Sequence, residues 1–265
     1  MPARPADTAV SAAVPAAASS LVAADPWRAL RRHTAARIGL GRVGASLPTD
    51  EVLSLGLAHA QARDAVHRPL DFAALESALA TDGWQVQRAR SQAPDRHCYL
   101  LRPDLGRSLS EADAARLGAQ PAAELVIVVA DGLSSSAVQM HAQPLLAALR
   151  GRLVANCAHT PVVLVEQGRV AIGDGIGGAL RAQLAVVLIG ERPGLSSPSS
   201  LGVYVTYAPR PGRMDSERNC ISNVRPEGLS YIDAANTVAR LCGAARRRRL
   251  TGVGLKDDSP LLADG

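Results

Sequence analysis

Aromatic side chains are scarce in this sequence: Phe, Trp and Tyr make up 3% of the 265 residues, whereas 47% are apolar. A core of useful size must therefore be built from Ala, Val, Leu and Ile. Lys256 is the only lysine, so arginine supplies almost all of the positive charge behind the formal net charge of +5. Nucleic-acid-binding proteins usually interleave basic residues with aromatics or carry a recognisable module. The sequence has neither, so a nucleic-acid partner is not expected.

Cysteine and histidine are too dispersed to predict a metal site. No two cysteines have C-x-x-C spacing, and no two histidines have H-x-x-x-H spacing, so neither a zinc site nor a disulfide framework is expected. Free thiols are typical of a cytoplasmic protein. The residues concerned are Cys98, Cys157, Cys220, Cys242, His33, His59, His67, His97, His141 and His159.

Long apolar runs are also missing. None approaches the roughly 20 residues that a membrane helix requires, so no membrane segment is predicted. The N-terminus is rich in alanine, but Asp7, Asp25 and several prolines interrupt it, and it lacks the charged and apolar regions of a secretory signal. Residues 1–25 are of low complexity and are predicted to be disordered or linker-like.

Residues 26–120 are predicted to form a mainly α-helical N-terminal region. Asp25 and Pro26 are suited to begin a helix over Trp27–Arg37, whose arginines either dock on a partner or face solvent. Acidic residues favour a helix start at Thr49, and the pattern continues to His67. Its apolar side is predicted to contain Val52, Leu53, Leu57, Ala60 and Val66.

The same region continues with shorter elements. Asp71 is a suitable cap for a helix that extends to Ala80 and stops at Gly83. Trp84–Arg90 alternates like a short strand, and Ser91–Arg107 is predicted to be rich in loops. The glycines of Gly39–Gly44 are interpreted as a structured connector, because no strand precedes them as a dinucleotide-binding motif would require.

Residues 121–265 have the pattern of an α/β domain with a mostly parallel, Rossmann-like sheet and flanking helices. Apolar runs that predict strands alternate with segments that predict helices. The strands are Leu125–Ala130, Pro161–Val165, Val186–Ile189 and, as a fourth, Val203–Tyr207; the helices are Ser134–Leu149 and one within Val170–Arg181. Parallel strands would bring three loops to one rim, where ligands bind in such sheets. These loops are Asp131-Gly132, Glu166–Val170 and Gly190–Gly194.

The C-terminal part is predicted to be a long loop followed by one helix. The loop covers Ala208–Gly228, and Ser230 with Asp233 forms a capping box. The helix would turn Ile232, Ala235, Val238 and Leu241 inward. Its last turn would contain Arg246–Arg249, where cations meet the negative end of the helix dipole.

The residues at the rim are compatible with two kinds of chemistry. A hydrolase would recruit Asp131, Ser134 and His141, but the G-x-S-x-G elbow is missing and Ser134 is better suited to cap a helix. Glu191 directly follows a buried strand and could accept hydrogen bonds from a ligand. It could equally pair with Arg192 or Arg169 and order the loop. Periodicity alone leaves these two roles of Glu191 open.

Several longer motifs closely resemble the small (light) subunit of ethanolamine ammonia-lyases. The resemblance extends from about Arg37 to Asp257, and the GERPG loop and the CISNVRPEG loop are its most specific parts. The motifs are TAARIGLGRVGASLPT (34–49), HAQARDAVHRPLD (59–71), VVADGL (128–133), PVVLVEQGRVAIGD (161–174), VVLIGERPGLSSPSSLGVYVTYAPRPG (186–212), ERNCISNVRPEGLSY (217–231) and TGVGLKD (251–257).

The resemblance implies an enzyme that uses adenosylcobalamin to convert ethanolamine to acetaldehyde and ammonia by a radical mechanism. A large subunit would hold the substrate, and this chain would close over the cobalamin between the two subunits. No catalytic or metal-ligating residue is therefore assigned here. The resemblance implies cofactor contacts at Val170, Glu191 and Cys220.

Two further expectations accompany the resemblance. Many cobalamin proteins share D-x-H-x-x-G, whose histidine replaces the cofactor's own base on cobalt. Here Asp95 and His97 are present but the glycine is not, so His97 is interpreted as structural and base-on cobalamin is expected. The alternative function is an assembly module whose residues 1–37 target a bacterial microcompartment, which would be a location within the cytoplasm.

Overall fold

A computed structural model describes residues 21–153 and 159–256. Its contacts divide the chain into two compact units, with the boundary between Gly56 and Leu57. The predicted domain division at residues 25 and 120 stays a prediction. Residues 1–20 lie outside the described ranges, and both the predicted linker-like tail and the predicted targeting segment include them. Cys157 also lies outside these ranges.

In the first unit, a short 3₁₀ helix begins where the sequence predicts. Asp25 Oδ1 accepts the Trp27 N–H at 2.8 Å, and Pro26 is the first helical residue. The helix covers Pro26–Arg32 and so ends five residues before the predicted end at Arg37. It buries none of its side chains, so no packing supports a longer helix.

Helix α1, Thr49–His67, has the predicted bounds but not the predicted apolar side. Val52, Leu53 and Leu57 are exposed, whereas its buried residues are Ala58 and Ala65. A helix with many alanines has more than one stripe at apolar spacing, and here small side chains seven residues apart are the buried ones. The predicted orientation was therefore wrong although the helix itself was right.

The second unit contains seven more helices among its described residues. Their bounds are α2 Phe72–Thr81, α3 Arg96–Leu101, α4 Pro103–Arg107, α5 Glu111–Gly118, α6 Ser135–Arg150, α7 Ile172–Ala179 and α8 Tyr231–Arg248. Across residues 21–153 and 159–256, every helix is too short or too polar to cross a membrane.

The prediction of a loop over Ser91–Arg107 was wrong, because α3 and α4 lie in it. Asp95 Oδ1 caps α3 by accepting the Cys98 N–H at 2.7 Å, and Pro103 occupies the first turn of α4. Helices of five or six residues are too short to produce a periodic apolar pattern. Their signals were the cap and the proline.

Within the described residues, six strands form one mixed sheet in the order β1-β3-β2-β4-β5-β6. The first four are mutually parallel, β5 runs antiparallel to β4, and β6 runs antiparallel to β5. The predicted mostly parallel α/β fold is confirmed. The bounds are β1 Gln85–Arg90, β2 Leu125–Ala130, β3 Pro161–Glu166, β4 Leu184–Gly190, β5 Leu201–Tyr207 and β6 Arg218–Val224.

Strand β6 lies inside the predicted loop Ala208–Gly228, so that prediction was wrong for Arg218–Val224. The strand is short, and its side chains do not alternate cleanly between apolar and polar. Its buried members are Arg218, Ile221 and Val224. An edge strand with one solvated face gives a weaker signal than the continuous apolar runs of β2 and β4.

The core lies on both faces of the central strands. Helices α6 and α8 pack on one face, and α5 and α7 cover the other. Ser230 caps α8 as predicted, and Ala235, Val238 and Leu241 are buried. Ile232, predicted to point inward, is 57% exposed, because the buried stripe of α8 runs through Ala234, Val238 and Leu241 and leaves Ile232 outside it.

Candidate cofactor-binding site

The rim of the sheet has a topological switch point between β2 and β4. From β2 the chain goes to β3 on one side, and from β3 it crosses to β4 on the other side of β2. Loops after two such strands diverge, and ligands of open α/β sheets bind where they separate. Here the base of the gap is closed by the Leu133 N–H, which donates to the Gly190 carbonyl at 3.0 Å.

Gly190 is required for that close approach. A Cβ at this position would lie 2.1 Å from the carbonyl oxygen of Ser134, which is closer than any non-bonded contact permits. This close approach explains why the GERPG loop begins with a glycine. It allows the end of β4 to contact the start of α6, and this contact fixes where the next residue, Glu191, begins.

A crevice of about 140 Å³ opens above this contact. Its walls combine apolar side chains with two tyrosines, two arginines and one carboxylate. They are Tyr99, Leu133, Arg169, Val170, Ile189, Gly190, Glu191, Arg192 and Tyr204. Two of the three predicted contacts, Val170 and Glu191, thus lie in one crevice. The third, Cys220, is paired with Tyr204 across β5 and β6.

Neutral donors hold the Glu191 carboxylate. Oε2 accepts the Ser200 hydroxyl at 2.6 Å, and both oxygens lie 3.3 Å from the Asn223 N–H. Among the described residues Glu191 forms no ion pair, so the pairing with Arg192 or Arg169 that the sequence left open is not found. The carboxylate therefore orders the loop through a hydroxyl and an amide, and its charge is not neutralised by an adjacent cation.

Cys220 and Tyr204 lie opposite each other on β6 and β5, beside the crevice. Partial desolvation raises the pKa of the Cys220 thiol, and the neighbouring Tyr204 hydroxyl lowers it by less. The thiol is consequently protonated near neutral pH, so its chemistry is that of a small, weakly polar contact. Tyr204, which sequence reasoning missed, was signalled only by its place in the motif LGVYVTY.

Val170 is positioned by the residue before it. The Arg169 guanidinium lies 4.2 Å from the centre of the Tyr99 ring and donates to the Tyr99 carbonyl at 3.1 Å. The Arg169 backbone N–H donates to the Gly106 carbonyl at 2.7 Å. Helices α3 and α4, absent from the sequence prediction, therefore hold the loop that presents Val170.

Asp131 ties the ends of β2 and β3 together. Its carboxylate accepts the backbone N–H groups of Gly132, Gln167 and Gly168 at 2.9 to 3.1 Å. Burial raises the pKa of Asp131 to about 6, although Arg96, 3.6 Å away, and these N–H groups act in the opposite direction. The side chain is thus occupied in joining two loops of the rim.

The described residues of a hypothetical hydrolase triad, Asp131, Ser134 and His141, do not hydrogen-bond to one another. The Ser134 hydroxyl donates to the Pro198 carbonyl and also accepts the Ala137 N–H, which caps α6. His141 Nδ1 lies 2.8 Å from the Tyr231 hydroxyl, and Nε2 lies 3.2 Å from the Ser199 carbonyl. Each of these groups therefore serves a cap, a loop or a helix contact in the fold.

His97 is exposed on α3, where the preceding Asp95 serves as the helix cap. In the part of the chain that is described, no group of three or more His, Cys, Asp or Glu side chains is placed to hold a metal ion. Arg192 is exposed at the mouth of the crevice and has no hydrogen bond or ion pair within the described ranges.

Comparison with known proteins decides the family. The model of the ethanolamine ammonia-lyase light chain matches residues 24–256. The chain belongs to this family. The light-chain family has curated members in several bacteria, and three of them match this chain over about nine tenths of their length.

Each of these relatives is an ethanolamine ammonia-lyase small subunit. The protein of Azotobacter vinelandii is 57% identical over 241 residues, which cover 89% of each chain. That of Pseudomonas aeruginosa strain PAO1 is 55% identical over 247 residues, or 91% of this chain and 90% of the relative. That of Ralstonia nicotianae is 53% identical over 252 residues, or 92% and 93%.

Proposed function

We propose that this chain is the small subunit of an adenosylcobalamin-dependent ethanolamine ammonia-lyase and that it holds one edge of the cobalamin against a large subunit. The observation that carries the proposal is that Val170 and Glu191 line one crevice and that Cys220 is paired with Tyr204, another residue of its wall. Val170, Glu191 and Cys220 come from three separate parts of the chain. The family membership of the chain supports the same function.

The chemistry of the crevice fits a corrin edge. A corrin is a broad, mostly apolar disc fringed with amides. Val170, Leu133 and Ile189 offer apolar contact, and Glu191 can accept amide N–H groups. At about 140 Å³ the crevice is smaller than the roughly 300 Å³ or more that encloses a drug-sized ligand. Only part of the cofactor would lie here, so a partner surface must cover the remainder.

When bound, adenosylcobalamin would supply the radical chemistry that converts ethanolamine to acetaldehyde and ammonia. This chain's residues bind and orient. Glu191 accepts hydrogen bonds, Val170 and the protonated Cys220 give close contact, and Arg169 with Tyr99 holds the loop in place. We assign the substrate chemistry to the large subunit.

Reconstitution of the enzyme from its two subunits tests which subunit the activity requires. The chain alone should give no acetaldehyde from ethanolamine, and activity should require both subunits and adenosylcobalamin. Turnover by the isolated chain would refute the proposal. Failure of the assembled pair to bind cobalamin would refute the cofactor role directly.

A Glu191→Gln substitution tests the polar contact. A hydrogen bond to a charged group contributes about 1.5–3 kcal/mol, so cobalamin binding by the assembled complex should weaken roughly 10- to 100-fold. The denaturation midpoint should change much less, and Ser77→Ala on the exposed side of α2 is the matched control. Unchanged cobalamin affinity in the variant would remove Glu191 from the site.

The proposal includes a base-on cofactor, since the histidine of the incomplete D-x-H motif is exposed and its aspartate caps a helix. Electron paramagnetic resonance of the cob(II)alamin form should show superhyperfine coupling from the cofactor's own base. Coupling that changes when protein histidines are isotope-labelled would show the opposite binding mode.

A further inference from the structure

The Glu191 side chain crosses one strand to reach the next. Glu191 follows β4, but its carboxylate accepts a hydrogen bond from Asn223 on β6, and β5 lies between them. The crossing point is Gly202. A Cβ on Gly202 would lie 3.2 Å from both Cγ and Oε1 of Glu191 and 3.3 Å from the Tyr204 ring. Because Gly202 has no side chain, the Glu191 carboxylate can lie close against it.

The donor on β6 is held in place by its own surroundings. Asn223 has a left-handed backbone with φ of 59°, and its Oδ1 accepts the Arg225 Nε–H at 2.9 Å. The pairing of β5 with β6 is irregular between Leu201 and Val203, beside the crossing point. These features aim the Asn223 N–H at the carboxylate, so the direction of Glu191 does not depend on a ligand.

The fixed carboxylate retains acceptor capacity. An ionised carboxylate has about four lone-pair sites. The Asn223 N–H is shared between the two carboxylate oxygens. Oε2 also accepts the Ser200 hydroxyl, whereas Oε1 has no second donor in the described ranges. Its partners in the described ranges are neutral, so no cation among them offsets the charge of the carboxylate. Such a group attracts an N–H donor and repels a second carboxylate.

We propose that Glu191 is preset to accept an N–H of a primary carboxamide on the ligand and that the site therefore rejects a ligand with a carboxylate at that position. Ser200 and Gly202 are positioning residues for this selection. The inference rests on the proposed cobalamin function, since the corrin fringe supplies the carboxamides. It adds a specificity that the cofactor role alone does not require.

Cobalamin monocarboxylic acids, in which one side-chain amide has been hydrolysed, provide the test. The assembled two-subunit complex is titrated at pH 7.5 with cyanocobalamin and with each separated acid, and bound corrin is measured by absorbance after equilibrium dialysis. One acid should bind about 10- to 100-fold more weakly than the parent. Glu191→Gln should reduce that difference to less than about threefold, because the repulsion is removed.

Variants at the two positioning residues, Ser200 and Gly202, test the same selection. Ser200→Ala and Gly202→Val should lose most of the discrimination while circular dichroism stays unchanged, and Ser200→Thr should restore it by keeping the hydroxyl. Ser77→Ala should discriminate like the unmodified protein. If cyanocobalamin binds and every acid binds equally well, the amide selection is overturned while the cofactor role stands. If cyanocobalamin does not bind at all, the proposed function fails first.

Discussion

The central strands and the last two strands of the sheet have different surroundings. Every residue of β2 and β4 is buried, since helices cover both faces. Helix α8 packs on one face of β5 and β6, and α6 also contacts β5. On the other face Cys220 and Ser222 are exposed and Tyr204 is half-buried. We call the face that presents Tyr204, Cys220 and Ser222 the open face.

This difference separates stability from binding. The central strands are continuous apolar runs whose side chains all contribute to the core. The open face has polar side chains, two of which are exposed, and it adjoins the crevice that contains Val170 and Glu191. Residues of the central strands should therefore affect mainly folding, and residues of the open face should affect mainly the ligand.

The largest effect is expected where the two regions are joined. Arg218 of β6 and Asp174 of α7 form an ion pair of 2.6 Å, with side chains only 2% and 3% exposed. Arg218→Ala leaves the carboxylate buried without its partner, so the free energy of unfolding should fall by about 3–5 kcal/mol. Urea denaturation measures this, with exposed Arg192→Ala as the control. A loss below about 1 kcal/mol would show that the two regions are not coupled through this pair.

A slightly smaller effect is expected from a single central side chain. Leu164 of β3 is fully buried, and Leu164→Ala should cost about 2–5 kcal/mol through lost transfer energy and a cavity. Ser222→Ala on the open face should stay within about 0.5 kcal/mol. Both are read from denaturation midpoints, and equal losses at the two sites would show that the two regions do not differ in their contribution to stability.

Asp131 should give the rim a pH dependence. Its pKa is raised to about 6, so the folded state binds more protons than the unfolded state between about pH 4 and 6. Stability from this group is present at low pH and is lost as the pH rises through 6, by an amount on the order of 3 kcal/mol. The difference in unfolding free energy between the unmodified protein and Asp131→Asn should therefore decrease from pH 4 to 7. An increase would mean that the three backbone hydrogen bonds outweigh desolvation.

The smallest effect concerns the open face itself. Tyr204→Phe removes the hydroxyl beside the Cys220 thiol and should cost about 1 kcal/mol or less. Since that hydroxyl lowers the pKa of the thiol, its loss should slow alkylation of Cys220 by iodoacetamide at pH 8, as followed by mass spectrometry. Faster alkylation in the variant would show that the hydroxyl shields the sulfur instead.

The sequence was most informative where strands are buried on both faces. The apolar runs of β2, β3 and β4 predicted the rim loops that contain Val170 and Glu191, and the family resemblance implied that these two residues contact the cofactor. The direction of β5 could also have been inferred. The connection Glu191–Ser200 is shorter than the dozen or so residues that a parallel crossover requires.

Other parts of the site had no readable local pattern. Strand β6 has one solvated face and a buried arginine, so its sequence looks like a loop. The space at Gly202 depends on a glutamate eleven residues earlier and an asparagine on another strand. Such a contact exists only after the strands have paired, which is why motif similarity located Glu191 but not the residues that orient it.

The hairpin from β4 to β5 has an architectural consequence. A parallel βαβ unit would have placed a crossover helix, about 10 Å in diameter, on one face of the sheet. The hairpin omits it, so within the described residues no crossover helix connects β4 to β5. On the proposed function, the corrin edge and the large subunit would cover the open face, so completing the sheet surface and loading the cofactor would be one event.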